Sequence, residues 1–569
     1  MHRRHARRAV RAKPATGFVL QPEPRSIGLF ARGRQLIAGN FLFGGRLTEA
    51  PEAMIWDIEP DNPYVVAELQ ACAWLDDLAA VGDARARECA QAWVFDWIAR
   101  FGNGKGEGWT PELAGRRLIR WINHSIFLLQ GREAEDSKRY FGSLGAQTLF
   151  LARRWDTTPA GLGRFEATCG LIYAGLALEG MEEHVGPATQ ALARDCKSQI
   201  DADGGIATRN PEELLEVFTL LSWAVGAMTQ ADKPIPTDVT EAIARIAPTL
   251  RALRHVDGSL ARFHGGGRGL EGRLDQALAD SAVKTQPSKG LHMGFLRMMA
   301  GRTSIVVDAA PPPSGLASAN GHASTLAFEL TSGRRPLIVN CGSGRSFGDD
   351  WRRAGRATPS HATLGIDGYS SSRLGQPSRL INHRQELLVD APDIVQCEVS
   401  EIGGGMRVEL SHNGFQPTHG LVHARTLDIA EEGRGLIGED ILTTLNDADN
   451  QRFDRALDLT SLQGVPFAIR FHLHPDVDAT LDMGGKAVSM LLKSGEVWVF
   501  RAEGLVEMAL EPSVFLENGR LKPRGTQQVV LTGRAMAYAT RVRWSLAKAQ
   551  DTPDVVRDFV RADPVAVED

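Results

Sequence analysis

Long apolar runs, paired cysteines, a large excess of one charge and internal repeats are all missing from this 569-residue chain, and each absence removes a class of protein. No stretch approaches the roughly 18 consecutive apolar residues that a membrane-spanning helix requires. The N-terminal MHRRHARRAVRAKP is basic, but no apolar segment follows it, so no secretory signal is visible. The cysteines, Cys72, Cys89, Cys169, Cys196, Cys341 and Cys397, lie far apart with no CxxC pair and mostly among apolar neighbours, which predicts buried free thiols and no disulfide framework. Lys and Arg total 64 against 69 Asp and Glu, a net charge of −5, so neither a nucleic-acid binder nor a membrane-surface protein is indicated. No fixed period aligns the helical segments, which excludes a solenoid with a readable repeat.

What is present divides into two parts, as expected for a chain too long for one core. Residues 1–25 are basic and contain proline, and are expected to form a flexible arm. From 26 to 290 apolar residues recur at helical spacing, predicting amphipathic helices over 64–81, 84–101, 111–129, 144–154, 165–180, 187–200, 211–228 and 239–253. Thr110 before Pro111 reads as a helix start. From 291 to 548 the pattern changes to alternation broken by frequent turns. Strands are predicted at 303–308, 406–411, 421–429, 466–474, 488–492 and 496–502, fitting stacked antiparallel sheets almost without helix. Residues 549–569 form an acidic, proline-interrupted tail.

The stretch 318–368 organises the second part. Three strands are predicted there, at 324–330, 337–340 and 362–367, with His322 just before the first, Asn340 ending the second and His361 just before the third. Strand ends are where side chains are free to bind or react, although either histidine alone also reads as a polar strand cap. The run His322-Ala323-Ser324-Thr325-Leu326, then Leu337-Ile338-Val339-Asn340-Cys341-Gly342, then Arg356 through His361-Ala362-Thr363-Leu364 and Asp367-Gly368 resembles the heparinase II/III-like family of polysaccharide lyases. The resemblance implies a multidomain α+β fold, an N-terminal incomplete α/α toroid followed by a C-terminal antiparallel β-sandwich. It also implies a cleft for an anionic, uronic-acid-containing polysaccharide or oligosaccharide, cleaved by β-elimination. The family's usual place is the cell envelope or periplasm, whereas the absent signal favours the cytoplasm. No cofactor is required. A structural zinc would involve His322 and His361, but Ser324 and Asn340 stand where the family carries Asp, and an amide rarely replaces a carboxylate on zinc, so weak binding or none is expected.

β-Elimination needs a group that neutralises the uronate carboxylate, a base for the C5 proton and an acid for the leaving oxygen. The resemblance places Asn210 in the first role, at a helix N-terminus whose positive end would help it. The same residue also reads as an ordinary N-cap before Pro211. His264, in a Gly-rich loop, is the expected base, but its neighbour Phe263 stands where the family carries Tyr. His322 is the third catalytic candidate. Arg262, Arg268 and Arg356 belong to arginine clusters that could line a groove or could be solvated surface. Asn123 and His124 either line the toroid cavity and touch substrate or form a satisfied polar pair. His472 and His474 alternate on one strand and face the cleft or an inter-domain surface. The competing reading is a diverged carbohydrate-binding relative in envelope polysaccharide metabolism, supported by Phe263, Ser324 and Asn340.

Overall fold

The computed structural model describes residues 2–12, 15–60, 62–380 and 383–549, so the acidic tail expected at 549–569 lies outside the described residues but for its first position. Helices fill the N-terminal half, and side chains cap the starts of three of them, whereas Thr110 makes no cap bond ahead of Pro111. Asn62 accepts from the N–H groups of Tyr64 and Val65 ahead of Pro63–Gln70, Asp83 caps Ala84–Phe101, and Asn210 caps Pro211–Gln230. The helix expected over 64–81 is two, Pro63–Gln70 and Trp74–Val81, broken where Cys72 adopts φ +56. Pro111–Asn123 packs on Leu162–Ala177 so closely that a Cβ on Gly170 would lie 2.4 Å from the Gly115 Cα. Arg117 is buried at that layer, donating to Gln147 Oε1, Gln70 O and Gly108 O while lying 4.1 Å from the Trp97 ring centre.

The basic arm expected at the N-terminus is corrected in part: His2–Val10 is a helix whose Ala6 and Ala9 are buried against Ala134–Ala152. Two small apolar side chains suffice to dock it, with Arg3, Arg4, Arg7 and Arg8 exposed on the other face.

The C-terminal half is a sandwich. One layer is an eight-stranded antiparallel sheet containing Leu421–Ala430, Gly435–Thr443 and Ala539–Lys548. Opposite it stand a five-stranded sheet, which includes Thr303–Asp308, Phe328–Ser332 and Arg335–Ile338, and a four-stranded sheet around Val465–His472. These last two meet at the Ile338–Leu473 bridge. The rings of Phe328 and Trp544 stack 5.9 Å apart between the layers, and Phe471 closes the core against Trp544 at 4.7 Å. Asp447–Leu459 is a helix the sequence reading missed, because only Asp449, Phe453 and Ala456 are buried in it.

One arginine ties the halves together. Arg209, just before Pro211–Gln230 and at φ +50, donates to Met293 O, Gly294 O, Ala310 O and Pro311 O and ion-pairs with Asp308 Oδ1 at 2.6 Å. That contact sets the end of strand Thr303–Asp308 against the Gly-rich 263–268 loop.

Candidate functional site

His361, His322 and His264 form a chain of contacts that ends at Asp308. Its Oδ2 accepts from Ser324 Oγ at 2.7 Å and lies 3.4 Å from His264 Nε2, long for a hydrogen bond. His264 Nδ1 accepts from the backbone N–H of His322 at 3.1 Å, and His322 Nδ1 is 3.0 Å from His361 Nε2. His361 Nδ1 faces Ala357 O at 2.9 Å, and because a carbonyl only accepts, that nitrogen carries the proton. It follows that His361 Nε2 accepts and His322 Nδ1 donates.

Burial governs protonation here. It lowers His264 and outweighs the opposing pull of Asp308, it holds His322 well below the usual histidine range, and it brings His361 to about 4. Burial alone would raise Asp308, but Arg209 first, then His264 and Ser324, keep it below the ordinary carboxylate range. The cluster at neutral pH is therefore an ionised Asp308 beside three neutral imidazoles. A neutral imidazole acts as a base only through a free lone pair. In His264 that lone pair already takes the His322 N–H, and in His361 it takes the His322 ring N–H. Of the three ring lone pairs, only that of His322 Nε2 accepts no hydrogen bond from a described residue. His322 lines a narrow cleft of about 10 Å³ with Gly265, Asn320, Ser343, Arg345, Arg352 and Arg356.

The Gly-rich loop that carries His264, the expected base, does not expose it. It is 0% exposed at φ +48, and Phe263 beside it is equally buried, 4.9 Å from the Phe295 ring. The loop is drawn in by Gly267 N–H donating to Glu212 Oε2 at 2.7 Å, and Gly266 passes so near Asn210 that a Cβ there would meet Oδ1 at 2.5 Å. Asn210 itself caps Glu212 N and Glu213 N through Oδ1 and is buried, so its carbonyl serves the helix. Arg356, expected to bind substrate, is buried and donates to the carbonyls of Gly321, Ser318 and Glu386. Asn123 is buried at a helix end, and His124 bonds Asp76 at 2.8 Å within an Asp76–Arg120 pair. That group shares no partner with His264 or His322. His472 lies between Ser513 Oγ and Pro359 O, and His474 accepts from Asp476 N.

Zinc finds no fitting donor set. Ser324 is hydrogen-bonded to Asp308, and Asn340 is held by its own bonds, accepting from Ala362 N and donating to Arg262 O. The two histidines bond to each other, which engages one ring nitrogen of each. Among the described residues no three His, Cys, Asp or Glu side chains are grouped to hold a metal ion.

Two residues that sequence reasoning passed over hold this region together. Asp308 is one. The other, Glu329, is a buried carboxylate accepting from His255 Nε2, Arg262 N and Asn340 N. A signal existed for both: each is an acidic residue in a strand that is buried throughout, and a buried charge demands partners.

The open space lies to one side. A cavity of about 600 Å³ runs between the Asn40–Phe43/Arg46–Glu49 hairpin, Tyr64, the 345–351 segment and Leu521. Arg345 lies over the Tyr64 ring at 3.9 Å and also lines the narrow cleft at His322. No helix among the described residues is long and apolar enough to cross a membrane.

The comparisons with known proteins agree with this architecture. Residues 282–545 match the family described as heparinase II/III-like, C-terminal. FtsZ-localized protein C of Caulobacter vibrioides is 30% identical over 536 residues, covering 91% of this chain and 88% of that protein. The crystal structure of heparinase III superposes with a TM-score of 0.69 at 14% identity, covering 96% of this chain and 89% of that one. Heparan sulfate lyase HepC of Pedobacter heparinus gives 0.54 at 13% identity, covering 96% and 87%. At those identities the solved structures establish the fold, toroid plus sandwich. Together with the matched segment and the relative aligned along nearly the whole length, they place this chain in the heparinase II/III-like family.

Proposed function

We propose that this chain is a diverged member of its family that binds an acidic glycan through the Tyr64–Arg345 cavity without cleaving it. The observation that carries this reading is the state of His264: fully buried, neutral, its lone pair engaged by a backbone N–H, beside a phenylalanine that transfers no proton. Asn210 keeps its Oδ1 on the helix start, which leaves only its amide N–H to meet a uronate carboxylate. The cavity holds groups that glycan recognition uses, a guanidinium at Arg345 suited to carboxylate or sulfate and the Tyr64 ring on which it stacks. The relative from Caulobacter is named for localisation with FtsZ and not for catalysis. We extend that by proposing that this chain acts where envelope polysaccharide is handled during division.

The test incubates the purified protein with a panel of uronate polymers, following both binding and the ultraviolet absorbance of unsaturated uronate. Binding without new absorbance is expected, weakened about 10- to 100-fold by Arg345→Ala, as for loss of one charged hydrogen bond. A lyase reading is favoured by one feature, the free Nε2 of His322 in the adjoining cleft. Sustained absorbance that His322→Ala abolishes would replace the proposal with that reading.

A further inference from the structure

A sugar is held by its ring faces as well as by its charge, and in the Tyr64–Arg345 cavity Arg345 already lies over the Tyr64 ring at 3.9 Å. The open aromatic side chain is Trp351. It lines the same cavity from helix Asp349–Arg356 and is 36% exposed, the one exposed tryptophan among the 11 in the chain. No ring or cation of a described residue stacks on it. The 344–348 turn puts Arg345 on the same wall. Gly344, at φ +64, packs so closely on that helix that a Cβ there would lie 2.2 Å from Trp351 O. The hairpin of the toroid closes on the other side of the turn, where a Cβ on Gly45 would lie 1.9 Å from Ser346 O. Phe347 and Leu521, the latter 51% exposed, add apolar surface to the lining, while its charged groups are Arg46, Arg345 and Asp349. At about 600 Å³ the cavity lies within the range of sites that enclose drug-sized ligands, about 300–1,000 Å³, and has room for more than one sugar ring.

The lining distinguishes one end of a ligand from the other. Arg345 suits a carboxylate or sulfate. Asp349 stands two residues from Trp351 in the same helix and repels a second anion there. A pyranose without a charge meets both conditions at Trp351, because its C–H face packs on an indole and its hydroxyls stay at the rim. We propose that Trp351 is the stacking platform for a neutral sugar joined to the acidic residue at Arg345, so that the ligand class is a glycan in which acidic and neutral residues alternate. This inference rests on the acidic-glycan reading above and adds to it the second residue and its charge.

The purified chain is titrated by calorimetry with methyl β-D-glucuronide, with a hyaluronan tetrasaccharide, in which glucuronate alternates with N-acetylglucosamine, and with tetragalacturonate, which is acidic throughout. The hyaluronan tetrasaccharide should bind tightest. Trp351→Ala should weaken it about three- to tenfold, the worth of one aromatic stacking contact, and Trp351→Phe by less. Asp349→Asn should narrow its lead over tetragalacturonate. Acrylamide quenching of tryptophan fluorescence gives a readout on the unaltered protein: the bound tetrasaccharide should shield the exposed indole, and Trp351→Ala should abolish that shielding. A tetrasaccharide that binds Trp351→Ala as tightly as the unaltered protein, or tetragalacturonate that binds as tightly as hyaluronan, would overturn this inference and leave the acidic-glycan reading standing. Failure of all three ligands to bind would overturn both.

Discussion

Replacing Arg209 by methionine keeps most of the side-chain volume and removes five of the hydrogen bonds between toroid and sandwich. The Arg209 and Asp308 side chains are 10% and 0% exposed, so the small energies of surface ion pairs do not apply. Asp308 would be left as a buried carboxylate facing only Ser324 and a neutral His264. Removing one partner of a buried pair costs about 3–5 kcal/mol, and that is the loss expected at pH 7 in urea unfolding. The pH dependence has a definite sign. In the native protein the folded-state pKa of Asp308 is depressed, so its stabilisation is present above the unfolded value, about 3.9, and is lost as pH falls through the folded value. Without Arg209, burial raises the folded pKa above the unfolded one. The variant's deficit is then largest at neutral pH and shrinks as Asp308 takes up a proton. Adding Asp308→Asn to Arg209→Met should recover at least half of the loss at pH 7. A deficit below about 1 kcal/mol, or one that grows on acidification, would refute the assignment of Asp308 as an ionised, Arg209-dependent group.

Phe263→Tyr restores the residue type usual in the family, yet the new hydroxyl would enter a buried site packed on Phe295. We expect a stability loss of about 1–3 kcal/mol from an unpaired buried hydroxyl and no gain of unsaturated-uronate product; a gain of product would show that the missing phenol was the defect. Zinc added to chelator-treated protein should leave the unfolding midpoint unchanged, because His322 and His361 bond each other and Ser324 and Asn340 are otherwise engaged. A stabilisation that grows with zinc concentration would contradict that donor set.

How far the sequence reaches depends on whether a feature is local. Caps are local, and Asn62-Pro63, Asp83 and Asn210-Pro211 announce their helices. Alternation is local too, and Thr303–Asp308 and Leu421–Ala430 lie where it points. The break at Cys72 is not legible, since Leu69 and Leu75 on either side face the same core and the apolar spacing runs on through the kink. Helices His2–Val10 and Asp447–Leu459 escape notice for the opposite reason, each burying too few apolar side chains to set a period.

The same distinction explains the site. That His322 and His361 stand near strand ends is readable, and their rings lie 3.0 Å apart. Which lone pairs remain free is not, because it depends on a backbone N–H of one domain reaching the ring of another, as His322 N does to His264 Nδ1. A motif records side-chain types in order. It is silent on which atom of an Asn amide caps the helix behind it, and at Asn210 that atom is Oδ1, with the Gly266 backbone passing beside it. The hydrogen bond from Gly267 to Glu212 seats the Gly-rich loop in which His264 is buried, and under the function proposed above that burial leaves recognition to the cavity at Tyr64 and Arg345.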